Sequence, residues 1–276
     1  MNELLRELAP LTSAAWSAIE DEAKRTLKVT LAARKVVDFS GPHGWEKSAV
    51  NRGRVESLQR GPAEGVEARL RVTQPLVELR VPFELARDEI DAIGRGATAP
   101  DLKVVQTAAR QIALAEDAAV FHGYGAAGIT GLCEAAAGAA LSIPDDYEQY
   151  PGVVATAVSH LRQTGVDGPY AIALGPRCHT GLTRTLTRSV HLVIDIVKRV
   201  VDGPVIWAPG VNGAAVVSLR GGDYTLTVGQ DLSIGYLDHD AKRVRLYLQE
   251  SFTFCVLAEE AAVPLVYKSG GKGKGR

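Results

Sequence analysis

Three cysteines among 276 residues, Cys133, Cys178 and Cys255, are too few, too far apart and odd in number for a disulfide framework. They read as reduced thiols of a cytoplasmic protein. An excess of charge is also missing, since 31 Lys plus Arg stand against 32 Asp plus Glu. Nothing global steers the chain toward nucleic acid or an anionic membrane. No stretch supplies the roughly 20 apolar residues of a spanning helix. Residues 1–25 are acidic and amphipathic, unlike a secretory signal. The expectation is a protein that stays where it is made, and no internal repeat is visible in it.

What is present is a substantial apolar content, 46%, enough for one large core or two small ones. The strongest pattern runs from Gly221 to Val256. Tyr224, Leu226, Val228, Leu232, Ile234 and Tyr236, then Val244, Leu246, Leu248, Phe252, Phe254 and Val256, all hold even positions. Thr225, Thr227, Asp231, Ser233, Arg243, Arg245, Gln249, Ser251 and Thr253 hold odd ones. A period of two predicts one buried and one wet face, and the polar run 237–242 predicts the turn between two long antiparallel strands. Strands this long exceed the usual five or six residues. They suit the spine of a sheet, or pairing with other chains.

Upstream, Thr12 or Ser13 can cap a helix whose stripe is Trp16, Ile19, Ala23, Leu27 and Leu31. Residues 52–59 and 66–72, around a Gly-Pro turn, predict a hairpin mixing Arg54, Arg69 and Arg71 with Val55, Leu58 and Leu70. Its apolar surface is too small to fold alone, which suggests an arm that packs on a neighbour. A strand is expected at 76–85, a short helix at 88–93, and a long, Ala-rich central helix at 102–121 capped by Asp101. Residues 129–151 read as connection, 153–163 as helix, 169–174 as buried strand and 188–201 as helix. Strands follow at 205–208 and 214–219. This order predicts an α+β fold with discontinuous domains. The Gly/Lys-rich tail 267–276 is expected to be disordered.

Four groups of residues suggest chemistry. Gly123 to Gly128 matches G-x-G-x-x-G, with Glu148 twenty residues on, but it follows a helix where the dinucleotide fingerprint follows a strand. It reads as a helix-ending turn. Cys178-His179, with an acid such as Asp195, could be imagined as a thiol nucleophile and its base. Neighbours on an extended segment point apart, so a buried Cys beside a surface His is the alternative. Asp238-His239-Asp240 offers three metal ligands or a solvated turn. Arg184, Thr187, Arg188, Ser189 and His191 form a basic, polar segment whose plain reading is an exposed helix start.

Several motifs carry a resemblance to a known family. These are Leu8-Ala9-Pro10 with Trp16, Arg34-Lys35-Val36-Val37-Asp38, Leu79 to Leu85, Glu116-Asp117, Gly128-Ile129, Gly168-Pro169-Tyr170, Gly229 to Tyr236 and Arg245 to Phe254. In this order, and over nearly the whole chain, they resemble encapsulin shell proteins, subunits of prokaryotic nanocompartments similar in fold to tailed-phage major capsid proteins of the Hong Kong 97 type.

The resemblance implies an icosahedral homo-oligomeric shell without catalysis of its own. It implies a peripheral domain at 1–46, 76–149 and 220–267, an extended loop at 47–75, an axial domain at 150–219 and a basic tail at 268–276. Arg54, Val55, Leu58, Arg69, Leu70 and Arg71 would contact neighbouring subunits. Arg184, Thr187, Arg188, Ser189 and His191 would line a five-fold pore, although the Gly, acidic and Tyr-Pro residues of many members are absent here. Leu27, Leu31, Leu232, Ile234 and Tyr236, flanked by Arg34 and Asp38, would hold the C-terminal targeting peptide of a cargo enzyme. That cargo would be a dye-decolorising peroxidase or a ferritin-like protein, with roles in oxidative stress or iron storage. Some members stack a flavin on a Trp where this chain has Asp88, so no cofactor and no metal are expected. A phage capsid protein and a soluble cysteine or serine hydrolase are the competing readings.

Overall fold

The computed structural model describes residues 3–268. The expected disordered tail, apart from Tyr267 and Lys268, lies outside them. Thr12 opens helix α1 (Ser13–Thr30) by accepting the Ala15 N–H at 3.2 Å. Ile19, Ala23 and Leu27 are buried along it, with Leu31 just past its end. Strand β1 (Asp38–Ser40) follows, then a hairpin of β2 (Ala49–Ser57) and β3 (Arg69–Pro75). Its arms sit nearer the base than expected, because pairing runs from Ala49↔Pro75 to Ser57↔Arg69 around an irregularity at 51–55. Strand β4 (Val77–Ala86) leads into helix α2 (Arg87–Gly94). Asp101 accepts the Lys103 N–H at 3.2 Å at the start of α3 (Lys103–His122), whose buried Ala108, Ala109 and Ala113 admit close neighbours.

Residues 129–151 are more than the connection expected. They include helix α4 (Leu132–Ala135) and strand β5 (Leu141–Ser142), anchored by buried Ile129, Leu132 and Ile143 among the glycines and alanines. Helix α5 (Tyr150–Gln163) and the fully buried strand β6 (Tyr170–Leu174) come next. A helix not foreseen, α6 (Pro176–Arg184), starts with proline at a position where the missing N–H is harmless. The helix expected from 188 begins only at α7 (Val193–Val201), since Thr187 N–H to His191 O (2.9 Å) and Val193 N–H to Thr185 O (3.1 Å) close a loop ahead of it. Strands β7 (Val205–Trp207) and β8 (Ala214–Ser218) follow.

The alternating stretch folds as three strands, not two: β9 (Tyr224–Val228), β10 (Ser233–His239) and β11 (Arg243–Val256). β9 and β10 pair in succession along β11, linked across the break by Gly229 N–H to Ser251 O and Ser251 N–H to Gln230 O. A Cβ on Gly229 would lie 2.6 Å from Ser251 Oγ, so the backbone there runs too close for any side chain. The expected wet face is also largely buried. Gln249 receives Arg80 Nε at 2.8 Å and donates to Gln230, Arg80 stacks on Tyr247 at 4.2 Å, and Ser251 Oγ accepts the Gln230 N–H. Polar groups that satisfy one another can be buried as readily as apolar ones.

One sheet has the order β1-β9-β11-β10 with β4 also on β11, and the other, with a last strand β12 at Ala262–Val266, has the order β5-β12-β8-β6-β7. β12 pairs with β8 and β5 rather than with the long strands among which the sequence grouped it. Two cores result. Leu246 and Leu248 of β11 pack with Ile112 of α3 in one, while Phe252 and Phe254 pack with Phe121 in the other. The long strand and long helix thus run through both.

Candidate functional site

Between α1 and β10 lies a cleft of about 230 Å³ lined by Leu27, Leu232 and Ile234 together with Leu4, Arg6 and Glu20. The 3.6-residue period of α1 aims Leu27 toward β10, while Leu232, just ahead of β10, and Ile234 within it, two positions apart, face back. Leu31 and Tyr236 do not line this cleft. They are buried in the same core, and the Tyr236 hydroxyl lies 2.5 Å from His239 Nδ1. Arg34 and Asp38 sit apart, on a second cleft of about 270 Å³ with Lys35, Gly221 and Tyr224. Asp38 accepts the Gly222 N–H at 2.6 Å there.

Arg34 is engaged inward. Its guanidinium donates to Glu116 from Nε (2.9 Å) and Nη2 (2.5 Å), to Glu250 from Nη2 (3.1 Å) and to Asp231 from Nη1 (2.8 Å). Burial opposes its charge, but Glu116 and then Asp231 outweigh that and hold the pKa above its usual value. Asp231 is the residue before Leu232, so Arg34 fixes the start of β10 rather than facing the cleft. Next to it, Asp117 accepts the Ala32 and Ala33 N–H groups at 3.0 and 2.8 Å. Burial pushes its carboxyl up to about 7, against those two hydrogen bonds. Sequence reading used Glu116 and Asp117 only as motif residues and gave Glu250 no role. An acid at an even, apolar-parity position was the available signal.

The basic segment forms the loop between α6 and α7. Arg184, Arg188, Ser189 and His191 are exposed and Thr187 is half-buried. Val190, at the tip, is 75% exposed with φ +63°, a strained conformation for a β-branched residue. Glu148, not foreseen here, accepts the Arg188 N–H at 2.9 Å and brings a carboxylate to the loop. On the hairpin, Arg54, Val55, Leu58, Arg69, Leu70 and Arg71 are all exposed, Leu70 by 57%. An apolar side chain left that open on an extended arm has no partner within its own fold.

The family model described as "Encapsulating protein for peroxidase" matches residues 1–253. The type 1 encapsulin shell protein of Rhodospirillum rubrum is 56% identical over 270 residues, covering 96% of each chain. The chain belongs to the encapsulin family. The Mycobacterium tuberculosis type 1 encapsulin shell protein is 46% identical over 96% of this chain and 99% of its own. Among solved structures, the virus-like particle of Pyrococcus furiosus matches with TM-score 0.63 and 14% identity, over 90% of this chain and 98% of the other. The capsid of Myoviridae phage XM1 matches with TM-score 0.54 and 11% identity, over 84% and 90%. These likenesses establish the tailed-phage capsid fold, while the curated relatives place the chain with encapsulins rather than with phage capsids.

The other candidate chemistries read differently in this encapsulin. Cys178 and His179 lie on helix α6, not on an extended segment, yet still diverge. Cys178 Sγ meets the Tyr267 hydroxyl at 3.1 Å, and His179 packs edge-on against Trp207 at 5.0 Å. Burial pushes the Cys133 thiol up to about 12, which keeps it protonated. Gly123 follows the end of α3 at φ +88° and ψ 162°, an extended positive-φ conformation open to glycine rather than the left-handed helix cap. Asp238 and Asp240 both pair with Arg245, β10 extends through His239, and the turn shrinks to 240–242. Among the described residues no three His, Cys, Asp or Glu side chains are grouped to hold a metal. Asp88 stands in the first turn of α2.

Proposed function

We propose that this chain is the shell subunit of a cytoplasmic encapsulin nanocompartment that assembles from copies of itself and encloses a cargo enzyme. The cleft between α1 and β10 is the docking groove for the cargo's C-terminal targeting peptide, and the α6–α7 loop lines a pore that passes small substrates. The observation that carries this reading is a cleft where Leu27, Leu232 and Ile234 meet beside the charged Arg6, Glu20 and Lys24, in a chain 56% identical to an encapsulin shell protein. An extended peptide with aliphatic side chains fits such a groove. The family description favours a peroxidase as cargo over a ferritin-like protein. The shell itself is not an enzyme in this reading.

Leu232 is half-buried and lines the cleft, whereas Leu31 and Ile234 are too buried to alter without disturbing the core. Leu232→Asp places a carboxylate that an apolar peptide cannot satisfy. Co-expressed with a tagged peroxidase cargo and viewed by negative-stain microscopy, the variant should give closed, empty shells. Normally loaded shells would place the groove elsewhere, and a small monodisperse species from the unaltered chain would favour the hydrolase reading.

A further inference from the structure

The first residues of the chain return to β10. The Tyr236 N–H donates to Leu4 O at 2.8 Å, and the Tyr247 hydroxyl donates to Glu3 O at 3.4 Å. β10 is the terminal strand of its sheet, so this is a backbone bond made on an open edge, where an extended peptide would otherwise add. The same segment furnishes Leu4 and Arg6 to the wall of the cleft. The chain's own N-terminal segment therefore stands where an incoming strand would pair.

Its hold is light. No residue of the short turn Arg6–Leu8 is buried, and Leu8 is 65% exposed. Leu5 sits at φ +50°, a left-handed conformation that costs energy in any residue but glycine and favours release. Arg6 supplies the visible fastening on α1, through an ion pair with Glu20 and by stacking over Trp16 at 4.1 Å. Glu20 and Trp16 lie on the first half of α1, so letting go of Arg6 leaves the helix intact.

We propose that residues 3–8 form a displaceable strap that gates the docking groove: an extended, aliphatic peptide replaces Leu4 on the Tyr236 amide and only then fills the cleft. This rests on the reading of the cleft as the docking groove. Arg6 and Glu20 set how readily the strap leaves, and thus how tightly the peptide is held.

The test reassembles dissociated shells in the presence of a fluorescent ten-residue peptide with leucine at alternate positions, so that the peptide reaches the groove before the shell closes. Binding is compared for the unaltered shell, a shell lacking residues 1–8, Arg6→Ala, and the exchange Arg6→Glu with Glu20→Arg. The truncated shell should bind severalfold tighter, Arg6→Ala should lie between, and the exchange should return toward the unaltered value. Amide exchange at Tyr236 should quicken on truncation. Should the truncated chain not assemble, Arg6→Ala and the exchange decide. Equal binding by all shells overturns the strap alone, and weaker binding by the truncated shell makes the segment part of the groove, which also overturns it. Absence of binding by every shell overturns the groove reading and the strap with it.

Discussion

Glu250 and Glu116, both fully buried, share the guanidinium of Arg34. Three carboxylates, on α3, on β11 and at Asp231 between β9 and β10, surround that single cation. Burial, then the charge of Glu116, lifts the Glu250 carboxyl well above its ordinary range. Folding therefore favours the protonated form of Glu250, whose Oε2 accepts from Arg34 while Oε1 is buried without a hydrogen-bond partner among the described residues.

A carboxyl whose pKa is raised by folding contributes stability at low pH that is lost as pH climbs through the folded value. The thermal midpoint of the native protein should therefore fall as pH rises above 4.5, the carboxyl's ordinary value. Glu250→Gln removes the titration, so its midpoint should vary less over that rise. Parallel midpoint-against-pH curves for the two proteins would refute the raised carboxyl.

Asp117 gives a separate pH window. With its carboxyl raised from 3.8 to about 7, the sign is the same, and its contribution should fade between about pH 4 and pH 7. The full difference is on the order of 4 kcal/mol. Asp117→Asn retains an oxygen for the Ala32 and Ala33 N–H groups and should flatten the denaturation midpoint across that window. An unchanged slope would show that Asp117 titrates normally.

Removal of the hairpin, residues 49–75, takes away Val55, Leu58 and Leu70, which are exposed by half or more. Burial of the exposed half of such side chains against a neighbour contributes on the order of 1 kcal/mol each. The deletion should leave folded but unassembled subunits, seen as a shift to small species in analytical ultracentrifugation. Closed shells from the deleted chain would contradict the arm's role.

At the α6–α7 loop, Arg184→Glu with Arg188→Glu should slow an encapsulated enzyme on anionic substrates and favour cationic ones. Glu148→Gln removes the carboxylate held at the Arg188 amide and should act in the opposite sense. Turnover that is indifferent to substrate sign in both variants would mean that the loop does not gate.

The sequence alone determined the elements with strong local signals. Thr12 and the 3.6-residue stripe set α1, Asp101 and the alanines set α3, and parity set β11. These are legible because capping and side-chain periodicity involve residues a few positions apart. Leu27, Leu232 and Ile234 could be matched to a groove for the same reason: each faces the direction its own period dictates. Only the tertiary structure decided the rest. Gly229, at the break in the first long strand, has no room for a side chain because Ser251, 22 residues away, lies against it. Gln249 is buried because Gln230 and Arg80 arrive from other elements to satisfy its amide, and Glu250 because Arg34 reaches one of its oxygens. β12 joins the second sheet because its partners are β5 and β8, and Leu4 covers Tyr236 across more than 200 residues. Periodicity tells which way a side chain points, but not which distant group will be there to meet it.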